Sequence, residues 1–319
     1  MKKISILLCM ILAVCSVQGK ESMNKKAIVI AAFGTTYPTA LQSILNIKLA
    51  AQKAYPNAKV ELAFTSNIIR KIWQRRALDT QYKKENPTVP ANIYNVKTPL
   101  ATIANLQNDG YRTIIVQSSH IFAGEEYEDL CSYVNGLNSI KTGKKKFMPF
   151  DNLVIGRPAL GKPGTEHIYH DDILTGVKAL KNDVTKAKAD GVALVYMGHG
   201  NEFLSTGIYA EFQKALRKEY NYPNIFVGTV EGFPTVNDVL DGLQKAKVKK
   251  ILLKPFMVVA GDHANNDMAS EEEDSWKSIF TKAGINVDTE VIGLGMNPEW
   301  VKIYVQHIGD AIKDYNIKF

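Results

Sequence analysis

The stretch Thr113-Ile114-Ile115-Val116-Gln117-Ser118-Ser119-His120-Ile121-Phe122-Ala123-Gly124-Glu125-Glu126 decides the reading of the fold, because much of its pattern returns later in the chain. Ile114-Ile115-Val116 stands 137 residues before Ile251-Leu252-Leu253, and Ala123-Gly124-Glu125-Glu126 stands 137 before Ala260-Gly261-Asp262-His263. Val154-Ile155-Gly156 and Val291-Ile292-Gly293 keep the same offset. At an offset of 166, Ala32-Phe33-Gly34 falls on Gly198-His199-Gly200 and Thr65 falls on Glu231. A fixed period is the mark of a repeated structural unit.

Each unit alternates short apolar, β-branched runs with helix-length amphipathic segments, the pattern of buried parallel strands with crossover helices. The runs are 27–33, 59–64, 113–117 and 153–155 in the first unit, and 193–197, 224–230, 250–254 and 287–292 in the second. The expected fold is α/β: two similar flavodoxin-like lobes with parallel four-stranded sheets facing a central cleft. Ligands of such sheets bind beyond the carboxyl ends of the strands, so residues just after each strand are the candidates for chemistry.

Composition bounds the rest. With 319 residues, 45% hydrophobic and 22% charged, the chain has the make-up of a globular protein, and its length suits about two domains. The +7 balance is spread along the sequence without a dominant Arg/Lys stripe, which argues for an anionic partner and against nucleic acid. Met1-Lys2-Lys3 followed by the apolar run 4–14 reads as a secretory signal, too short to span a bilayer. Cleavage after Gly19 is expected, with lipid attachment at Cys15 the alternative and a periplasmic location in either case. Its removal would delete Cys9 and Cys15 and leave Cys131 without an intrachain disulfide partner. The expected division is therefore a signal peptide at 1–19, an N-terminal lobe at 20–161, and a C-terminal lobe with its connecting segment at 162–319. No later run is apolar enough to cross a membrane.

The residues after the second unit's strands point to metal chemistry. Gly198-His199-Gly200 leaves a histidine between two glycines, where the backbone can turn tightly and the ring is unshielded. Ala260-Gly261-Asp262-His263-Ala264-Asn265-Asn266-Asp267 sets a second histidine among small and polar residues, and Glu231 ends the intervening strand. Two neutral imidazoles and a carboxylate suit a divalent first-row ion without choosing among them. The bland alternatives are a turn-holding histidine, a helix start and a solvated glutamate. Glu126 occupies the position of His263 in the first unit and would enter the cleft from the facing lobe; His120 reads as a supporting residue at a strand end. The cluster Arg70-Lys71-Ile72-Trp73-Gln74-Arg75-Arg76 is either a solvated helix face or a clamp for an acidic, flat ligand. His167 and His170 read as surface residues and His307 as structural. The P-loop, the complete GxGxxG fingerprint, HExxH and the GxSxG elbow are absent, so nucleotide binding and a serine hydrolase are unsupported.

Ala32-Phe33-Gly34-Thr35-Thr36, Gln117-Ser118-Ser119-His120-Ile121, Gly124-Glu125-Glu126-Tyr127, Met197-Gly198-His199-Gly200, Val230-Glu231-Gly232-Phe233-Pro234 and Val259-Ala260-Gly261-Asp262-His263-Ala264-Asn265-Asn266-Asp267-Met268 together resemble the anaerobic-type sirohydrochlorin cobaltochelatases, class II chelatases related to ferrochelatase. The resemblance spans residues 27–315 and implies ATP-independent insertion of a divalent metal into a tetrapyrrole, Co(II) first and Fe(II) as the alternative, with no nucleotide. It implies His199, His263 and Glu231 as metal ligands and His199, His263 and Glu126 as the catalytic set. Arg70, Lys71 and Phe33 are expected to meet the tetrapyrrole. Two features depart from the pattern: the export signal, and a lysine-rich insertion at 141–150. A periplasmic Fe(II) chelatase, a haem dechelatase and a non-enzymatic tetrapyrrole or metal carrier remain open alternatives, as does a homo-oligomer.

Overall fold

The structure, a computed structural model, describes residues 25–164, 166–202 and 207–319. The expected signal peptide lies outside the described residues.

Among the described residues, eight strands form two parallel sheets. β1 (Lys25–Ala32), β2 (Lys59–Phe64), β3 (Tyr111–Ser118) and β4 (Asn152–Gly156) are ordered β2-β1-β3-β4. β5 (Ala193–Gly200), β6 (Ile225–Glu231), β7 (Lys250–Phe256) and β8 (Asn286–Thr289) repeat that order as β6-β5-β7-β8. The central strands β1, β3, β5 and β7 are buried along most of their length, as expected where helices cover both faces. Alternate residues of β1 divide between two cores. Ile28 and Ile30 join a large apolar cluster that also takes in Leu194 and Tyr196 of β5, whereas Ala27, Val29 and Ala31 pack on the outer face of the first sheet. Val195 and Met197 do the same on the outer face of the second. One apolar mass thus runs between the sheets, so the lobes share a core.

The C-terminal helix Pro298–Asp314 follows the second lobe in sequence yet packs on the first. Its Tyr304 hydroxyl donates to the Ser119 carbonyl at 2.9 Å, and its buried His307 donates from Nδ1 to the Arg157 carbonyl at 3.1 Å. Below it, Arg157 at the end of β4 holds Asp172 bidentately at 2.6 and 2.9 Å and reaches Asp310 at 2.8 Å. Burial raises the Asp172 carboxyl, but hydrogen bonds from His307 and Arg157 outweigh it and hold the group down at about 2. This buried ionic knot joins a first-lobe strand, the connecting helix Tyr169–Ala179 and the C-terminal helix.

Register shows where the repeat is faithful. Ala31 pairs with Ser118 in the first sheet and Met197 with Pro255 in the second, which preserves both the 166 and the 137 offsets at the centre of the sheets. The last strand departs from expectation. Ile114 pairs with Leu153, and Ile251 with Val287, an offset of 134 on the fourth strand, so Val291-Ile292-Gly293 lies beyond β8. β8 ends at Thr289; the Glu290 N–H still bonds the Leu253 carbonyl at 3.0 Å, and its side chain pairs with Lys254 at 2.8 Å and with Lys186. The second sheet likewise pairs Gly198 with Thr229 and Gly200 with Glu231, which makes Val230 the counterpart of Thr65.

Candidate active site

The carboxyl ends of β1, β3, β5 and β7 open on one shared cavity, the place where open parallel α/β sheets bind ligands. Its walls come from both lobes: Phe33 to Thr36 and Ser119 to Phe122 with Glu126 on one side, and His199, Gly200, Tyr209 and the loop from Phe256 to His263 on the other.

His199 stands at the end of β5, followed by Gly200 at φ +81°, a conformation that favours glycine. A Cβ on Gly200 would lie 1.7 Å from the Glu231 carbonyl oxygen, so only glycine lets β5 and β6 close up at this point. The His199 Nδ1 is 3.0 Å from the Gly200 carbonyl. A carbonyl only accepts, so Nδ1 carries the proton, and in the neutral ring Nε2 keeps its lone pair. The same peptide group donates its other end, the Asn201 N–H, to the Glu231 carbonyl at 3.1 Å. His199 is thereby tied through one peptide to the backbone of Glu231.

His263 is the second residue of the irregular helix that continues as the π-helical turn Ala264–Met268, a geometry found often at functional sites. The turn brings Asp267 back so that its Oδ2 lies 2.5 Å from His263 Nδ1. A carboxylate on Nδ1 fixes the tautomer and orientation of an imidazole. The two rings meet edge to face, centroids 4.8 Å apart and planes at 80°. Two imidazoles bound through Nε2 to one tetrahedral ion at a metal–nitrogen distance of about 2.0–2.1 Å would have centroids about 5 Å apart. The observed pair already has that spacing.

Phe33, 41% exposed, leans on His199 with centroids 6.4 Å apart. It offers a flat apolar surface beside the paired imidazoles. Across the cavity, Glu126 is the second residue of the helix Glu125–Asn138, in the first turn where the helix dipole favours a negative charge. His263 is likewise the second helical residue after its strand, so the repeat places a carboxylate opposite an imidazole. His120 lines the same wall. Its Nδ1 meets the Ser118 hydroxyl at 2.8 Å, its Nε2 has no partner, and burial pulls its pKa down to about 4, which keeps the ring neutral.

Three expected residues sit apart from the cavity lining. Glu231 is exposed at the end of β6, adjoining the site through its backbone. Arg70 donates to Asn67 at 3.3 Å, and Lys71 is exposed; the helix Asn67–Arg76 reaches the cavity through Ile69 instead. Trp73, expected on a solvated face or in a ligand clamp, is fully buried and donates from its indole N–H to the Thr35 carbonyl at 2.7 Å. Arg76 stacks on Trp73 and Tyr82 at 4.7 and 4.6 Å and donates to the Thr36 carbonyl at 2.5 Å. The aromatic and one arginine of that cluster therefore hold the loop that floors the cavity. His167 and His170 pair with Asp314 and Glu211 on the surface.

Asp267 and Tyr209 are site residues that the sequence reading did not single out. The i, i+4 spacing from His263 was a usable signal for Asp267; none marks Tyr209, which arrives from another helix. Among the described residues, no three His, Cys, Asp or Glu side chains are already gathered into a metal cage.

Two parallel α/β lobes with strand-end histidines over a shared cleft define a class II chelatase fold. The solved structures of SirB from Bacillus subtilis with Fe3+ and of the sirohydrochlorin chelatase SirB from Bacillus subtilis subspecies spizizenii in complex with cobalt share it. Each is 12% identical, with TM-scores of 0.56 and 0.55, covering 92% of this chain and 98% and 97% of theirs. The cobalt chelatase (CbiK) family model matches residues 26–313, and the chain belongs to that family. It is 32% identical over 290 residues to the sirohydrochlorin cobaltochelatase of Salmonella typhimurium, covering 90% of this chain and 97% of that protein. It is 27% identical to the sirohydrochlorin cobaltochelatase CbiKC of Nitratidesulfovibrio vulgaris, covering 91% and 92%.

Proposed function

We propose that this chain inserts Co(II) into sirohydrochlorin without a nucleotide, using the cleft between its lobes. The observation that carries the site assignment is the His199–His263 pair, with both Nδ1 positions occupied by acceptors and a ring spacing that suits one shared ion. Family membership and the two cobaltochelatase relatives support the reaction.

In this reading the ion exchanges water for His199 Nε2 and His263 Nε2, with Glu231 joining as a third ligand when its side chain turns in from the end of β6. The macrocycle lies against Phe33 with its nitrogens toward the imidazoles. As the metal–nitrogen bonds to the macrocycle form, the bonds to the imidazoles break and two pyrrole N–H protons leave. His199, freed of the metal, accepts one through Nε2, and Glu126 accepts the other from the opposite wall; both pass them to water. Charge balances: a dication enters the macrocycle and two protons leave it. Arg70 and Lys71 would pair with carboxylates at the rim of the macrocycle.

The basic, apolar start of the sequence supports export to the periplasm, with residues 1–19 removed. The test is an anaerobic assay of residues 20–319 with sirohydrochlorin, protoporphyrin and haem against Co(II) and Fe(II). Many turnovers with Co(II) and sirohydrochlorin are expected. Stoichiometric binding without product would make the chain a carrier, and loss of iron from haem would make it a dechelatase.

A further inference from the structure

Gly200 is the backbone hinge on which the orientation of His199 depends, and it is gripped from two directions. On one side the Asn201 N–H bonds the Glu231 carbonyl at 3.1 Å, fixing the peptide whose oxygen takes the His199 Nδ1 proton. On the other, the buried Gly200 N–H donates to the Tyr209 hydroxyl at 3.3 Å. Tyr209 projects from the helix Gly207–Tyr220, is 1% exposed and lines the cavity. Its ring is wedged against the same strand end: a Cβ on Gly198 would come within 2.5 Å of it. Phe122 of the facing lobe closes on it edge to face at 5.4 Å, and Phe256 at 6.0 Å. The ring is thus fixed by packing, and its hydroxyl is the group that reaches the β5 backbone.

A buried hydroxyl accepting a backbone N–H ahead of a glycine at positive φ is not required for packing, since phenylalanine would fill the same space. Its effect is local. With the hydroxyl in place, the Gly200 N–H is satisfied and the Gly200 carbonyl faces His199. Without it, a buried donor is left unpaired, and the backbone at Gly200, which has wide conformational freedom, can rotate to find another partner. With the Gly200–Asn201 peptide held by Glu231, the freed His199–Gly200 peptide would carry the ring away from the Gly200 carbonyl, and the ring could place its proton on Nε2, the atom that must be bare to hold a metal.

We propose that Tyr209 is a positioning residue whose hydroxyl, by holding the Gly200 N–H, keeps His199 in the tautomer that presents an unprotonated Nε2 to the cleft. The inference rests on the role of His199 in the proposed reaction, but its structural half can be read on the free protein.

The experiment uses residues 20–319 labelled with 15N-histidine, with the His199 signals assigned by their loss in His199→Gln. The unaltered protein is expected to show His199 protonated on Nδ1 and bare on Nε2 at neutral pH. Tyr209→Phe is expected to show a mixture of tautomers and, in the Co(II) insertion assay, roughly a tenfold fall in kcat with little change in KM for the tetrapyrrole. The other five histidines report whether the variant has folded. An unchanged His199 tautomer in folded Tyr209→Phe overturns the proposal, whatever happens to the rate. If the variant does not fold, an Nε2-protonated His199 in the unaltered protein overturns it equally. A tautomer shift in Tyr209→Phe, with His199→Gln still inserting metal at the full rate, would leave the positioning contact standing and remove the proposed role of His199.

Discussion

His199 and His263, 64 positions apart in sequence, meet edge to face with ring centroids 4.8 Å apart, each with Nδ1 held by an acceptor and Nε2 left as the free donor atom. The pairing arises because β5 and β7 are neighbours in the second sheet and both end at the cleft. Asp267 completes it by fixing one ring. We therefore expect Asp267→Asn to weaken Co(II) binding and slow insertion by roughly 10–100-fold, measured by anaerobic titration and turnover, while unfolding stability changes little because the pair is partly exposed.

Gly200→Ala tests the strand-end geometry. The added methyl would meet the Glu231 carbonyl at a nominal 1.7 Å in a backbone conformation unfavourable to alanine. The conformational cost alone is about 1–2 kcal/mol. The variant should melt at a lower temperature than the parent and lose most of its insertion activity, whereas Gly136→Ala, where a Cβ meets nothing within 4 Å, should retain both.

The Arg157–Asp172 knot should dominate the coupling of the C-terminal helix to the first lobe. Asp172→Asn leaves a buried guanidinium short of its main partner, and a loss of about 3–5 kcal/mol in urea unfolding at pH 7 is expected. The Asp172 carboxyl lies lower in the folded protein than its ordinary 3.8, so its contribution is fully present above that value. It is lost as pH falls through about 2.

His120 acts in a higher window. Burial lowers its pKa from 6.5 to about 4, so the unfolded chain binds the proton more readily than the folded one. Folding stability should be unaffected by this group above pH 6.5 and should decline as pH falls toward 4, by up to about 3 kcal/mol. Urea unfolding between pH 7 and 4 should show a shallower decline in His120→Gln than in the parent.

Much of this architecture was legible in the sequence because its information is periodic. The runs 59–64 and 193–197 alternate with helical segments at regular intervals, and the offsets of 137 and 166 carry the central strands into register. The fourth strand of the second lobe was less legible. Val291-Ile292-Gly293 keeps the offset in sequence, but the paired strand lies three residues earlier, with Val287 beside Ile251 and its end at Thr289. His199, His263 and Glu126 were legible as cavity-lining positions because the first ends β5 and the other two open the segments that follow β7 and β3. Trp73 was misleading, since the charged residues flanking it in sequence give no sign that the indole faces inward. Tyr209 was invisible for a similar reason: its contact with Gly200 depends on how a helix lies across a strand end.

The most direct test of the account is anaerobic turnover of Co(II) and sirohydrochlorin by the unaltered protein, His199→Gln and His263→Gln at equal concentration. Many turnovers are expected for the unaltered protein and at least a 100-fold lower rate in each variant, with the fold preserved by circular dichroism. Full activity in either folded variant, or no turnover by the unaltered protein, would contradict it.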